Sequence, residues 1–293
     1  MRGILRARPT SISDRPAFVL GGGGGPLGAH EVGMVQALIE RGIVPGLVLG
    51  TSVGAVIGAA VAADPSPAGV ARLTELWTAI DRSDVFGGSL LGRLATLART
   101  GTHLHDAEPL RARLERELPV QAIEDLAVPF QCVAASIEGA SERWFTRGPI
   151  ADAVLASAAV PGILAPVEIG GEHFIDGGIV NSIPVSRAVQ LGAKRIFVLH
   201  VGRLDRPLEP PRWPWEVALV AFEVARRHRF VGDLAALPPG IEAHVLPTGQ
   251  LDPPRYTDLS QFRYRDASRA RERIARARAA TAAYLDDHAL EAA

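Results

Sequence analysis

Leu47-Val48-Leu49-Gly50-Thr51-Ser52-Val53-Gly54 is the stretch on which the fold of this 293-residue chain turns. The apolar run Leu47 to Leu49 reads as a buried strand, and the small, apolar residues from Val53 to Ala63 read as a helix. Ser52 then sits on the tight turn between them, a strand-serine-helix arrangement that projects the hydroxyl outward from a strained backbone. Gly50 and Gly54 leave room for the strand and helix to pack closely on either side. At the helix N-terminus, free amides and the positive end of the helix dipole favour the negative charge that develops in acyl transfer.

Working outward, Ala17-Phe18-Val19-Leu20 reads as a strand that runs into Gly21-Gly22-Gly23-Gly24-Gly25-Pro26-Leu27-Gly28, followed by an amphipathic helix from about Ala29 to Arg41. Five consecutive glycines are costly to order, and a backbone nest whose amides converge on an anion gives them a reason. That anion is either a dinucleotide phosphate or the oxyanion of an acyl-transfer intermediate. Gly23 to Gly28 formally satisfies the dinucleotide pattern G-x-G-x-x-G. That fold expects a carboxylate at the end of the second strand, where this chain has Leu49-Gly50-Thr51-Ser52 instead.

Hydrophobic residues make up 47% of the chain, enough for one large core, so we expect a single domain with embellishments. A formal net charge of -1 gives nucleic-acid binding no support. Cys132 is the sole cysteine, so no internal disulfide is expected, and metal-ligand spacing is absent. With no signal-peptide core and no run long enough to span a bilayer, the expectation is a soluble, cytoplasmic protein. Residues 1–15 read as a flexible leader, 16–250 as the catalytic domain and 251–293 as a helical extension packed on or beside it.

Helices are expected from Ala68 to Ile80, from an Asp106 cap through Glu117, and from Trp215 to Phe230. Strands are expected at Phe130 to Ile137, Arg143 to Thr146, His173 to Ile175, Arg195 to Val201 and Glu242 to Leu246. The glycine-rich, leucine-bearing segment Gly87 to Leu97 is either part of a lid or acyl-chain channel or an ordinary helix packed on the sheet. Strands alternating with helices imply an α/β sandwich around a mostly parallel sheet. Asp176 ends one of those strands, and Gly177 and Gly178 behind it read as a sharp turn that leaves the carboxylate reachable.

The glycine loop, Gly50-Thr51-Ser52-Val53-Gly54 and Asp176-Gly177-Gly178 stand in an order and spacing that resemble the patatin-like phospholipases. The resemblance covers about Ala17 to Val201. Gly28-Ala29-His30-Glu31-Val32-Gly33, Ala156-Ser157-Ala158 with Val160-Pro161, Pro166-Val167, Asn181 and Pro184 extend it. It implies the family's three-layer α/β/α fold and a serine-aspartate dyad, with Ser52 as nucleophile and Asp176 as base. It also implies an oxyanion hole from the amides of Gly23, Gly24, Gly25 and Val53. A carboxylate can serve as that base when it is shielded from water, which raises its proton affinity. Family loops commonly carry arginine where Leu27 stands, and Pro26 is a further departure.

No metal or organic cofactor is implied, and the substrate class is a lipid or other carboxylic ester. The competing chemistry is a Ser-His-Asp triad drawing on His200 or His244, and the competing class is a catalytically weak lipid-binding scaffold. Trp213-Pro214-Trp215 with Val217, Leu219, Val220 and Phe222 reads as a core-packed helix or as an edge that rests on lipid. Seven arginines from Arg263 to Arg278 read as a solvated helix face, or as a contact with an anionic membrane or a partner.

Overall fold

Short runs of aliphatic residues become the centre of the sheet. The structure, a computed structural model, describes residues 15–23, 27–80, 103–105, 107–201, 207–250 and 267–291. The leader before Arg15, the Gly87–Leu97 segment, the Asp106 cap, and Arg263 and Arg265 lie outside the described residues. The strands are β1 (Ala17–Leu20), β2 (Leu47–Thr51), β3 (His103–His105), β4 (Phe130–Ser136), β5 (Ser141–Phe145), β6 (Gly162–Leu164), β7 (Val167–Ile169), β8 (Glu172–Asp176), β9 (Arg195–Leu199) and β10 (Glu242–Val245). The helices are α1 (Gly28–Glu40), α2 (Val53–Ala63), α3 (Pro67–Ile80), α4 (Glu108–Glu117), α5 (Ile150–Ser157), α6 (Gly178–Asn181), α7 (Val185–Gln190), α8 (Pro214–Ala235) and α9 (Ala267–Asp287).

Five strands run parallel in the order β10-β9-β1-β2-β4, and β5, β8 and β7 extend the sheet in antiparallel pairing beyond β4. β3 and β6 pair separately. Because successive strand residues face opposite sides, the central strands feed two cores. Phe18, Leu20, Val48, Phe197 and Leu199 pack on the side of α1, α2 and α5. Ala17, Val19, Leu47, Leu49, Ile196 and Val198 pack on the side of α7 and α8. The result is an α/β/α sandwich.

The amphipathic reading of α1 needs correction, since almost every residue of that helix is buried. The sheet covers one face, and α9, contributed by sequence more than two hundred residues later, lies along another. Backbone approach there is close: a Cβ on Gly33 would lie 2.2 Å from the Ile274 carbonyl oxygen. At the rim, Arg278 Nε donates to both Glu40 carboxylate oxygens (2.9 and 2.8 Å), and Arg41 donates to the Ala282 carbonyl (2.9 Å) and to Asp286 (2.6 Å). Part of the arginine-rich face is thus occupied in holding α9 to α1.

Candidate active site

β2 ends at Thr51, α2 begins at Val53, and Ser52 makes the turn between them with φ 55° and ψ -122°. A non-glycine residue at that φ carries a strain of order 1–3 kcal/mol, so its surroundings must hold it. They do so through two anchors. The Ser52 amide donates to Ser157 Oγ at 3.0 Å, and Thr51 Oγ1 donates to the Asn181 carbonyl at 2.9 Å. The flanking glycines are required by space: a Cβ on Gly50 would lie 2.5 Å from the Gly54 carbonyl oxygen, and one on Gly54 would lie 2.4 Å from that of Leu20.

Asp176 is 124 residues away in sequence, and strand register closes that distance. On β4, Val133 is the partner of Thr51 and Ala134 is the partner of Asp176. The last residue of β2 and the last residue of β8 therefore meet the same strand at consecutive positions. Ser52, one step beyond Thr51, donates its hydroxyl to Asp176 Oδ2 at 2.6 Å. The other carboxylate oxygen, Oδ1, accepts the Gly178 amide at 2.7 Å.

Asp176 is only 4% exposed. Burial pushes its carboxyl up from 3.8 to about 6, against the opposing pull of the hydrogen bonds from Ser52 and Gly178. The shielding that a carboxylate base requires is thus present. The sharp turn read at Gly177-Gly178 is present between β8 and α6, and what requires glycine at Gly177 is space. Gly177 has an ordinary φ of -64°, but a Cβ on it would lie 2.0 Å from the Val133 carbonyl oxygen.

The described part of the glycine loop is fixed by backbone pairing. The Gly21 amide donates to the Leu199 carbonyl (2.9 Å) and that of Gly22 to the Ser182 carbonyl (2.8 Å). Gly22 passes so near the elbow that a Cβ there would lie 3.6 Å from Ser52 Cβ. Gly23 reaches Val201, while Gly24, Gly25 and Pro26 lie outside the described residues. Leu27 is buried and its carbonyl is bonded to His30 Nδ1 at 2.9 Å. Gly28 approaches both Trp77 and Val53 of the elbow helix. The Val53 amide belongs to the first turn of α2, where helix geometry leaves donors without an intrahelical acceptor.

Three residues near the loop were not singled out for a role from sequence. Ser157 enters the sequence reading only within Ala156-Ser157-Ala158, and His30 and Glu31 only within the run from Gly28 to Gly33. Glu31 is fully buried, and among the described residues no group makes a well-aligned hydrogen bond to its carboxylate oxygens; the Gly21 amide lies close enough to favour the ionised form but is donated to the Leu199 carbonyl. Burial holds that carboxyl well above its usual range. His30, beside it, is held down to about 4 by the same cause and stays neutral.

The two histidines considered for a triad are placed elsewhere. His244 lies on β10, three strands from β2, where it stacks on Phe197 and meets Tyr284. His200 follows β9 beside Gly21, and its Nδ1 faces Arg226 Nη1 at 3.4 Å. The partner of the Ser52 hydroxyl is a carboxylate in both position and distance.

The family model described as Patatin-like phospholipase matches residues 18–189. An uncharacterized NTE family protein of Mycobacterium tuberculosis is 35% identical over 184 residues, covering 62% of this chain and 47% of that protein. Lysophospholipase NTE1 of Mycosarcoma maydis is 28% identical over 192 residues, covering 63% of this chain and 10% of that protein. The chain thus matches about half the length, or less, of these curated relatives. Among solved structures, VipD from Legionella pneumophila aligns with a TM-score of 0.50 at 14% identity, covering 95% of this chain and 68% of that one. At that identity the likeness is one of fold.

Proposed function

Because the chain belongs to the patatin-like phospholipase family, we propose that it is a serine acyl hydrolase that cleaves carboxylic esters of lipids. The observation that carries this reading is the 2.6 Å hydrogen bond from a strained elbow serine to a buried aspartate. In the scheme, Ser52 Oγ attacks the ester carbonyl carbon while its proton passes to Asp176 Oδ2. The tetrahedral oxyanion is met by the Val53 amide and by amides of the glycine loop at Gly23, Gly24 and Gly25. Asp176 returns the proton to the departing alcohol oxygen as the C–O bond breaks, leaving an acyl-enzyme on Ser52. Water, deprotonated by Asp176, then attacks the acyl carbon, and Asp176 returns that proton to Ser52 Oγ as the acyl C–O bond breaks, freeing the carboxylic acid and the serine.

Three features support the scheme beyond the pair itself. Burial gives Asp176 a proton affinity suited to a base near neutral pH. Ser157 holds the elbow from behind, and the Gly178 amide fixes Asp176 Oδ1, so that Oδ2 faces the serine. The lipid class of the substrate is carried by family membership and by the name of the fungal relative.

The test is intact-mass labelling by a fluorophosphonate of the parent chain, Ser52→Ala and Asp176→Asn, with hydrolysis of a soluble short-chain ester measured on the same samples. Labelling confined to Ser52, with turnover lost in both variants, is the expected result. A folded parent chain that neither labels nor hydrolyses would overturn the reading in favour of a lipid-binding scaffold.

A further inference from the structure

A helix on the surface of a water-soluble domain ordinarily turns its charges outward and its aliphatic residues inward. α8 departs from this at several positions. Its inward positions include Glu223 and Arg226, both more than nine-tenths buried, together with Phe230. Arg226 donates to both carboxylate oxygens of Glu223 (2.9 and 2.7 Å), so the pair is satisfied inside. The outward positions are Val217, Ala221, Val224, His228, Val231 and Ala235, spaced four, three, four, three and four residues apart as one stripe of a helix. The three valines are 54%, 50% and 60% exposed, and the stripe carries no carboxylate, lysine or arginine.

The stripe joins the site. α8 packs against α6, the short helix that begins two residues after Asp176, and Arg229 ties the two by donating to the Val180 carbonyl at 3.0 Å. Phe222, itself 37% exposed, comes within 2.9 Å of where a Cβ on Gly178 would lie, and Ile179 beside it is exposed as well. At the N-terminal end of α8, Trp213 is 56% exposed next to exposed Arg212. An aromatic ring and a guanidinium at one end of an apolar helix face is the side-chain chemistry of a membrane-water interface.

We propose that this outward face of α8, with Trp213, Phe222 and Ile179, docks on a lipid surface and delivers single lipid molecules to the Ser52–Asp176 centre. The stripe measures roughly 27 Å by roughly 10 Å, about 300 Å². A second copy of the chain would need about 800 Å² on each partner for a stable interface, whereas a bilayer accepts a single helix lying in its interface plane. Among the described residues no helix is long and apolar enough to cross a membrane, so the contact is peripheral. The choice of lipid rests on the proposed substrate class.

The experiment is flotation of the chain with phosphatidylcholine vesicles, carried out on Ser52→Ala so that the vesicles are not consumed, at low and high salt. It is repeated with Val224→Asp and Val231→Asp combined, both solvent-facing and outside the catalytic centre, with circular dichroism and a thermal melt to verify folding. The expected result is salt-insensitive flotation that falls by roughly tenfold or more in the variant, because apolar area in contact with lipid sets the affinity. Hydrolysis of a monomeric short-chain ester should be unchanged when the same two substitutions are placed in the chain with Ser52 intact.

Equal flotation of parent and variant would overturn the proposal, as would binding abolished by salt, which would transfer the contact to the arginines of α9. A dimer dispersed by the two aspartates, without vesicle binding by the parent, would also overturn it. Flotation without ester hydrolysis would leave docking standing and remove the hydrolase reading; hydrolysis without flotation would do the opposite.

Discussion

Asp176→Asn should make the protein more stable at neutral pH while removing its activity. The native carboxyl has a raised proton affinity, about 6 against 3.8 for the unperturbed group, so the fold favours its neutral form. The ionised group therefore costs stability above about pH 6, and that cost fades as pH falls toward 3.8, where native and unfolded chains are both protonated. A difference of about two units corresponds to about 3 kcal/mol. Asparagine carries no charge, its Oδ1 can keep the Gly178 amide, and its Nδ2 can donate to Ser52 Oγ, so neither donor is orphaned. For a chain of this size the gain at about pH 8 corresponds to a melting-temperature rise of about 5–10 °C, shrinking toward zero at about pH 4. Thermal melts of both proteins across that range measure it. No gain at the alkaline end, or a gain that does not change with pH, would refute the claim that an unfavourably buried carboxylate sits at this position.

The same proton affinity sets the activity profile: kcat/KM on a soluble ester should be level above about pH 6 and fall about tenfold per unit below it, and an acid limb set well below that value would contradict the buried base. Ser157→Ala removes the acceptor of the Ser52 amide; leaving that buried donor unpaired should cost about 1–3 kcal/mol and slow fluorophosphonate labelling, as followed by urea unfolding and labelling rate. Gly54→Ala would drive a Cβ into the Leu20 carbonyl and should cost more than about 3 kcal/mol, yielding insoluble or unlabelled protein. Gly232→Ala, in α8 with nothing within 4 Å of the added carbon, should instead raise stability by about 0.5–1 kcal/mol, read as an increased melting temperature.

What the sequence made legible is local. The aliphatic runs that became β1, β2, β4 and β9 announce themselves by composition, and the serine between glycines announces a turn because few other sequences tolerate one there. What remained hidden depends on contacts between distant segments. That Ser52 and Asp176 meet was expected only through family resemblance; the physical reason, consecutive register positions on β4, has no signature in either motif. The burial of α1 on a second side is imposed by α9, so its own periodicity could not reveal it. The Gly177-Gly178 pair marks its turn in the sequence, but the carbonyl 2.0 Å from a missing Cβ that requires glycine there has no local signature. For α8, composition left two readings open, and the choice depends on which side of the helix the sheet receives.

Several of the penalties in this structure gather in one place. A strained serine, a buried aspartate and a buried glutamate with raised proton affinity and, among the described residues, an unpaired Ser182 hydroxyl all lie around the loops that follow β1, β2 and β8. The glycine loop leaves the carboxyl end of β1, Ser52 leaves that of β2, and His200 leaves that of β9. In β1 the chain has parallel neighbours on both sides, reached by separate crossovers, and open α/β sheets bind ligands in the crevice that opens beyond such strand ends. Away from these loops the costs are single: Ala140 and Ala289 take positive φ at chain turns, and α8 buries the Glu223–Arg226 pair, while on the rim of α1 and α9 the charges are paired. A fold selected for stability alone would have no reason to gather these costs at one end of the sheet. Their common location therefore argues for a site at this place independently of any motif, and it makes the Asp176→Asn measurement a test of the site as much as of a residue.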